Sequence, residues 1–221
     1  MGRIAYVNGQ YVPHAEAAVH IEDRGYQFAD GVYEVIAVYA GCLIDEQGHL
    51  DRLDRSLREM EIAWPVTPRV LKILMREVVR RNRLVDGIVY LQITRGVAPR
   101  DHRFPKDATP QLVMTAAVRD IKKLKGGPST RVITTPDLRW GRPDIKTVSL
   151  LPNCLAREKA DRAGCYEAWQ VDRDGRVTEG TSSNAWIVTV DDELITRDTS
   201  ENAILNGITR IAVLEVARNA G

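Results

Sequence analysis

One lysine, Lys146, stands inside the run 143-PDIKTVSLLPN-153, among Ile145, Thr147, Val148, Leu150 and Leu151. Taking an ammonium out of water is costly, and lysine is among the residues least often found inside proteins. The ordinary reading is a stem that packs while the amine reaches solvent. The chemical reading is different. A desolvated amine is more readily neutral, and a neutral amine attacks an aldehyde to give a Schiff base.

An aldehyde cofactor of the pyridoxal type needs three further groups. An acid must face the ring nitrogen, because the protonated ring is the electron sink. An arginine or a helix N-terminus must take the phosphate. Cationic or hydroxyl groups must meet a substrate carboxylate. Glu179, in the Gly/Ser-rich break 177-VTEGTSSNAW-186, supplies the acid. Arg52, in 49-HLDRL-53, and the Asn206-Gly207 start of the last helix supply anion sites. Tyr33, Arg100 and His102 are candidates for the carboxylate. Each has a plain alternative: an exposed turn acid at Glu179, a surface pair of Arg52 with Glu59 or Asp45, an unliganded helix cap at Asn206-Gly207, a core aromatic at Tyr33, and ordinary loop polars at Arg100 and His102.

These residues need elements to position them. Asn8-Gly9 marks a hairpin, and 32-VYEVIAVYAG-41 reads as a strand that turns into Cys42, Leu43 and Ile44. Leu50, Leu53, Leu57 and Met60 predict a helix over 49–62, and Val70, Leu71, Leu74 and Val78 another over about 68–83. Strands are expected at 88–96 and 111–118, flanking the polar loop 97-VAPRDHRFPKDATP-110. Farther on come a strand at 130–135, a helix over 155–163 ended by Gly164, strands at 165–172, 176–180 and 183–190, and a partly buried helix over 206–221. The pattern is α+β in two halves: a small N-terminal domain over 1–120, a charged and Gly/Pro-rich linker over 121–129, and a cofactor-binding domain over 130–221.

Composition narrows the classes. The 221 residues are 44% hydrophobic and 28% charged, an ordinary globular mixture. A net charge of +1 predicts no general attraction to nucleic acid or anionic membranes. No apolar run approaches the roughly 20 residues of a membrane span, and the N-terminus lacks the apolar stretch of a signal peptide. Three distant cysteines, Cys42, Cys154 and Cys165, read as reduced thiols of a cytoplasmic protein.

The segments 24-RGYQFADGVYEVIAVYAG-41, 49-HLDRL-53, 146-KTVSLLPNCLAREKADRAG-164, 176-RVTEGTSSNAWIV-188 and 206-NGITR-210 together resemble the class IV, fold type IV, pyridoxal-phosphate-dependent aminotransferases, in family order and over the whole chain. The resemblance implies a two-domain fold, with a pseudo-barrel of strands in the larger domain. It implies that Lys146 forms the Schiff base and shuttles the substrate proton, and that Glu179 holds the ring nitrogen protonated. It implies that Arg52, the Ile208 and Thr209 backbone N–H groups and the Thr209 hydroxyl bind the phosphate, with Ser182 and Ser183 lining the cofactor. Within the family, 95-RGVAPRDHRFP-105 resembles the D-amino-acid aminotransferases, in which an Arg-x-His pair from the neighbouring subunit and a tyrosine bind the α-carboxylate. Here those are Arg100, His102 and Tyr33, and a homodimer with a shared active site is implied. The expected reaction is ping-pong amino transfer from a D-alanine-like donor to a 2-oxo acid. A branched-chain L-aminotransferase or an aminodeoxychorismate lyase of the same family is the alternative, and a non-catalytic binding protein that keeps the fold is the alternative of another class. The family usually runs tens of residues farther, so the chain ending at Gly221 reads as truncated or partial.

Overall fold

A computed structural model describes residues 3–119 and 129–220. The linker expected over 121–129 lies, except for Ser129, outside the described residues. The chain separates into two compact units, one within 1–127 and including 146–148, the other within 128–145 and 149–221.

The first unit is a six-stranded antiparallel sheet in the order β2-β1-β6-β5-β3-β4. β1 (Ile4–Val7) and β2 (Gln10–Pro13) meet at Asn8-Gly9, both with positive φ, the backbone that favours this dipeptide in two-residue hairpins. β3 (Gly31–Tyr39) alternates: Val32, Glu34, Ile36 and Val38 are buried, while Tyr33, Val35 and Ala37 are half-buried on the other face. β4 is Cys42–Leu43, β5 Gly87–Thr94 and β6 Gln111–Val118. The buried face is covered by α2 (Glu46–Glu59), through Leu50, Leu53 and Leu57, and by α3 (Pro68–Arg81), through Leu71, Met75, Val78 and Val79. Full burial of each such side chain contributes about 1.5–3 kcal/mol. Pro68 at the first turn and Thr67, whose hydroxyl accepts from the Val70 N–H at 3.3 Å, start α3 cleanly. A short helix, α1 (Arg24–Phe28), precedes β3 and is capped by Asp23.

In the second unit, β7 (Val132–Pro136) pairs in parallel with β8 (Glu167–Val171), which pairs antiparallel with β9 (Val177–Gly180). α4 (Leu151–Arg162) lies between β7 and β8 in the chain, as a parallel pair requires, and packs through Ala156 and Ala160 onto Ala168. β10 (Trp186–Val188) and β11 (Leu194–Thr196) form a separate hairpin, and α5 is Ile208–Ala220. The expected strand over 183–190 thus shortens to β10 and gains a partner, β11, that periodicity does not mark. The pseudo-barrel implied for this half is represented, among the described residues, by these two separate sheets. α5 carries no fully buried residue: Ile208 and Leu214 are half-buried, as expected of a partly buried helix, while Ile211, Val213 and Val216 are exposed. Ile204, just before the helix, is buried.

Candidate active site

Lys146 is not in a regular strand. It belongs to a short extended segment whose Thr147 bridges Val32, and it groups with the first unit. The Tyr33 N–H donates to the Lys146 carbonyl at 3.0 Å and the Val148 N–H donates to the Gly31 carbonyl at 3.1 Å. The segment therefore rides on the start of β3, beyond the stretch that β4 covers. Lys146 is half-buried rather than fully inside. Its Nζ lies 3.3 Å from the Tyr33 hydroxyl and 4.3 Å from the centroid of the Tyr33 ring. Tyr33 in turn lies beside Tyr90, ring centroids 5.7 Å apart. Burial pushes the Tyr90 phenol up from its ordinary range.

Arg52 meets a buried acid that its plain alternative does not name, Glu34 on β3. Its Nε and Nη2 donate to the two oxygens of Glu34 at 2.8 and 2.7 Å, and His49 Nδ1 lies 2.7 Å from Glu34 Oε2. Glu34 is 1% exposed on the helix-facing side of β3. Burial pushes its carboxyl up, but the hydrogen bonds and charges of Arg52 and His49 outweigh burial and hold it below the ordinary carboxylate value. The bidentate grip fixes the plane of the Arg52 fork.

Arg100 and His102 lie exposed in the loop after β5. Both approach Phe28 at the end of α1: the Arg100 guanidinium is 4.6 Å and the His102 ring 5.5 Å from that ring centroid.

In the second unit, Glu179 is the penultimate residue of β9 and is 5% exposed, not an open turn acid. Arg139 donates to its Oε1, the Leu205 N–H donates to the same oxygen at 3.0 Å, and the Asn184 amide donates to Oε2 at 2.9 Å. Arg139 also grips Asp137, at 3.0 and 2.6 Å. Burial lowers the affinity of Arg139 for its proton, but Asp137 and Glu179 outweigh it and the net shift is upward. Burial raises the Asp137 carboxyl, and Arg139 more than reverses this. Asn184 donates as well to the Leu205 carbonyl at 2.9 Å, so one amide ties Glu179 to the approach of α5. Gly207 has to be small there, since a Cβ would lie 2.2 Å from Asn184 Oδ1. Ile208 and Thr209 are the first two residues of α5, where backbone N–H groups lack intrahelical acceptors.

Ser182 and Ser183 sit in the tight turn closed by the Gly180 N–H to the Ser183 carbonyl at 2.7 Å. Their hydroxyls donate to buried Glu167 at 3.5 and 3.1 Å, alongside Thr181 at 2.5 Å. Burial pushes Glu167 up, and these donors, with the Ala168 N–H, bring it below its ordinary value. The structure thus gathers Lys146 with Tyr33, Arg100 with His102, and Glu179 with the 180–184 turn and the start of α5. It adds Glu34, Arg139, Asn184 and Glu167, which sequence reasoning misses. Asn184 lies within the motif itself; Arg139 stands 40 residues from Glu179 and carries no local signal.

The donor set fits pyridoxal phosphate in kind: an amine, a fork held by a counter-ion, a helix N-terminus, and a buried carboxylate that accepts from Arg139, Leu205 and Asn184. No helix among the described residues is long and apolar enough to cross a membrane, and they hold no cluster suited to a metal ion. The chain is 43% identical to a D-alanine aminotransferase from Bacillus licheniformis, over 97% of this chain and 75% of that protein. It is 41% identical to a D-alanine aminotransferase from Listeria monocytogenes serotype 4b, over 97% of this chain and 74% of that protein. Its fold superimposes on the branched-chain aminotransferase of Thermoproteus uzoniensis solved with norvaline, with a TM-score of 0.87, 24% identity and coverage of 100% of this chain and 76% of that one. A branched-chain amino acid aminotransferase solved with pyridoxamine 5'-phosphate superimposes equally, with a TM-score of 0.87, 23% identity and coverage of 100% and 75%. The model of the amino-transferase class IV family matches residues 31–221, and the chain belongs to that family.

Proposed function

We propose that the protein moves the amino group of a D-alanine-like amino acid to a 2-oxo acid, with pyridoxal phosphate as cofactor and Lys146 as the reactive amine. The observation that carries this is the half-buried Lys146 amine held against Tyr33 by main-chain bonds to β3. The donor class rests on the D-alanine aminotransferases that the chain resembles at 43% and 41% identity. The similarity to branched-chain enzymes, at 24% and 23% identity, supports the fold alone.

The chemistry that bound pyridoxal phosphate supplies is an electron sink for charge developing at the substrate Cα and a carrier for the amino group. The protein's own residues do the rest. Arg52, oriented by Glu34, and the N–H groups of Ile208 and Thr209 would hold the phosphate. Glu179, kept an acceptor by Arg139, Asn184 and Leu205, would take the ring N–H, and the 182–183 turn would border the ring. Lys146 Nζ would carry the proton between the substrate Cα and the cofactor C4′, in opposite directions in the two half-reactions, with the Tyr33 hydroxyl as its partner. Arg100 offers a fork to the α-carboxylate, with His102 and Tyr33 as further donors. Arg100 and His102 are exposed on their own chain, which supports their serving the site of a second copy in a homodimer. Cys42 and Cys154 are exposed free thiols and Cys165 is free, which supports a reducing, cytoplasmic compartment.

The test is the absorbance of the pyridoxal-loaded protein on adding single amino acids. Conversion to the pyridoxamine form with D-alanine, and none with L-leucine or L-valine, is expected. Conversion only with the L-series would replace this reading with the branched-chain one. Pyruvate and 4-aminobenzoate released from added aminodeoxychorismate without an oxo-acid acceptor would replace it with the lyase.

A further inference from the structure

The loop that carries Arg100 and His102 is exposed, and long polar loops lose precision unless something ties them. Arg24, 3% exposed on α1, does so. Its Nε donates to Asp30 Oδ2 at 2.7 Å, and its Nη1 donates to the backbone carbonyl of Asp101, also at 2.7 Å. Asp101 is the residue between Arg100 and His102. The Arg24 guanidinium carbon lies 4.7 Å from the Phe28 centroid, against 4.6 Å for Arg100, and the His102 ring tilts by 55° to the same ring. One aromatic ring therefore gathers both carboxylate candidates, and the arginine beside it holds the peptide that joins them.

The anchor is itself fixed to the frame. Asp30 Oδ2 also accepts from Arg95 Nε at 2.8 Å, and Arg95 donates to the Met60 and Glu61 carbonyls at 2.7 and 2.8 Å, just past the end of α2. The Phe104 ring covers the Arg95 guanidinium at 3.6 Å. The middle of the Arg-x-His segment, Asp101, and Phe104, two residues past its end, thus rest on arginines that share one buried carboxylate. Buried ion pairs of this kind are poor evidence of stability, because desolvation offsets attraction. What they do supply is direction, since a guanidinium fork holds its acceptors in a plane.

We infer that Arg24, together with Phe28, is a positioning residue for the substrate carboxylate: it clamps the Asp101 carbonyl so that Arg100 and His102 project as a matched pair. This rests on the reading that those two residues bind the carboxylate. Arg24→Lys keeps the charge and loses the fork; Phe28→Leu keeps apolar bulk and loses the ring. Each is loaded with pyridoxal phosphate and its half-reaction followed with D-alanine and with ethylamine, which lacks the carboxylate. The D-alanine KM is expected to rise at least about tenfold, as displacement of a binding group by a fraction of an ångström does, while reactivity with ethylamine stays as in the parent protein. Amides of residues 100–104 are expected to exchange hydrogen faster, with β5 and β6 unchanged. Unchanged KM and exchange in both variants, or an equal loss with ethylamine, would overturn the inference. Arg100→Ala separates the two levels. A silent Arg100→Ala removes the carboxylate reading itself, whereas a large Arg100→Ala effect beside silent Arg24→Lys and Phe28→Leu removes the positioning role alone.

Discussion

The hydroxyl of Tyr33 sits 3.3 Å from the Nζ of Lys146, and the same ring lies 4.3 Å beneath that amine. Hydroxyl and π-face thus act on one charge. Tyr33→Phe deletes the first and keeps the second. A hydrogen bond to a charged group contributes about 1.5–3 kcal/mol, and the half-buried setting points to the low end. Stopped-flow measurement of the D-alanine half-reaction is expected to show a fall of roughly tenfold, with cofactor absorbance retained. A rate equal to the parent's would detach Tyr33 from the chemistry.

Glu34 joins strand to helix by gripping Arg52 and His49. Glu34→Gln leaves a buried guanidinium without its counter-charge. Breaking a buried pair from one side costs about 3–5 kcal/mol. Urea denaturation is expected to show a loss of that order, and titration of the apo-protein with pyridoxal phosphate a weaker affinity, since the Arg52 fork loses its orientation. Stability within about 0.5 kcal/mol of the parent, the usual bound for a surface change, would mean that the pair is not held as described.

The acid limb of stability follows from Glu34, Glu167 and Asp137. All three are held below their ordinary values, 4.5 for the glutamates and 3.8 for the aspartate. A carboxyl depressed in the folded state binds fewer protons than in the unfolded chain, so stability rises with pH through this range. Their contribution is complete above the ordinary values and is lost as pH falls through the lower, folded ones. Thermal melts between pH 7 and 3 are expected to be flat down to about 5 and to drop below it. In Glu34→Gln that drop is expected to be shallower. An identical acid limb in the variant would contradict the assignment.

Gly207 leaves room for Asn184, which ties Glu179 to Leu205. Gly207→Ala puts a methyl where the Asn184 oxygen stands. Forcing a side chain into filled space costs about 1–3 kcal/mol. A lower melting temperature and reduced uptake of pyridoxal phosphate are expected together. Asn184→Ala, which removes the obstacle and the tie, is expected to lose cofactor affinity without the steric cost. Normal uptake in both would show that the tie is dispensable.

Local patterns in the chain reach some of this and stop at the rest for a physical reason. The Asn8-Gly9 hairpin, the leucine face of α2 and the alternation of β3 are short-range consequences of backbone and burial, and they stand where periodicity puts them. Lys146 is marked by its apolar surroundings. Its placement on β3, however, depends on main-chain bonds to Gly31 and Tyr33, more than a hundred residues earlier. Glu34 as a partner of Arg52 escapes a local reading because it lies on a strand before the helix, 18 residues away. Arg139 cannot be seen from Glu179 because only the β7–β8–β9 sheet brings their segments side by side. The apolar residues of α5 are divided, Ile208 and Leu214 half-buried and Ile211, Val213 and Val216 exposed: a pattern states what a helix can bury, not which positions a surface meets.

The most direct test of the central claim is borohydride reduction of the pyridoxal-loaded protein followed by peptide mapping by mass spectrometry. The account predicts a single phosphopyridoxyl group on the peptide containing Lys146, and its loss when D-alanine is added before the reductant. A label on another lysine, or one on Lys146 that D-alanine leaves untouched, would contradict it.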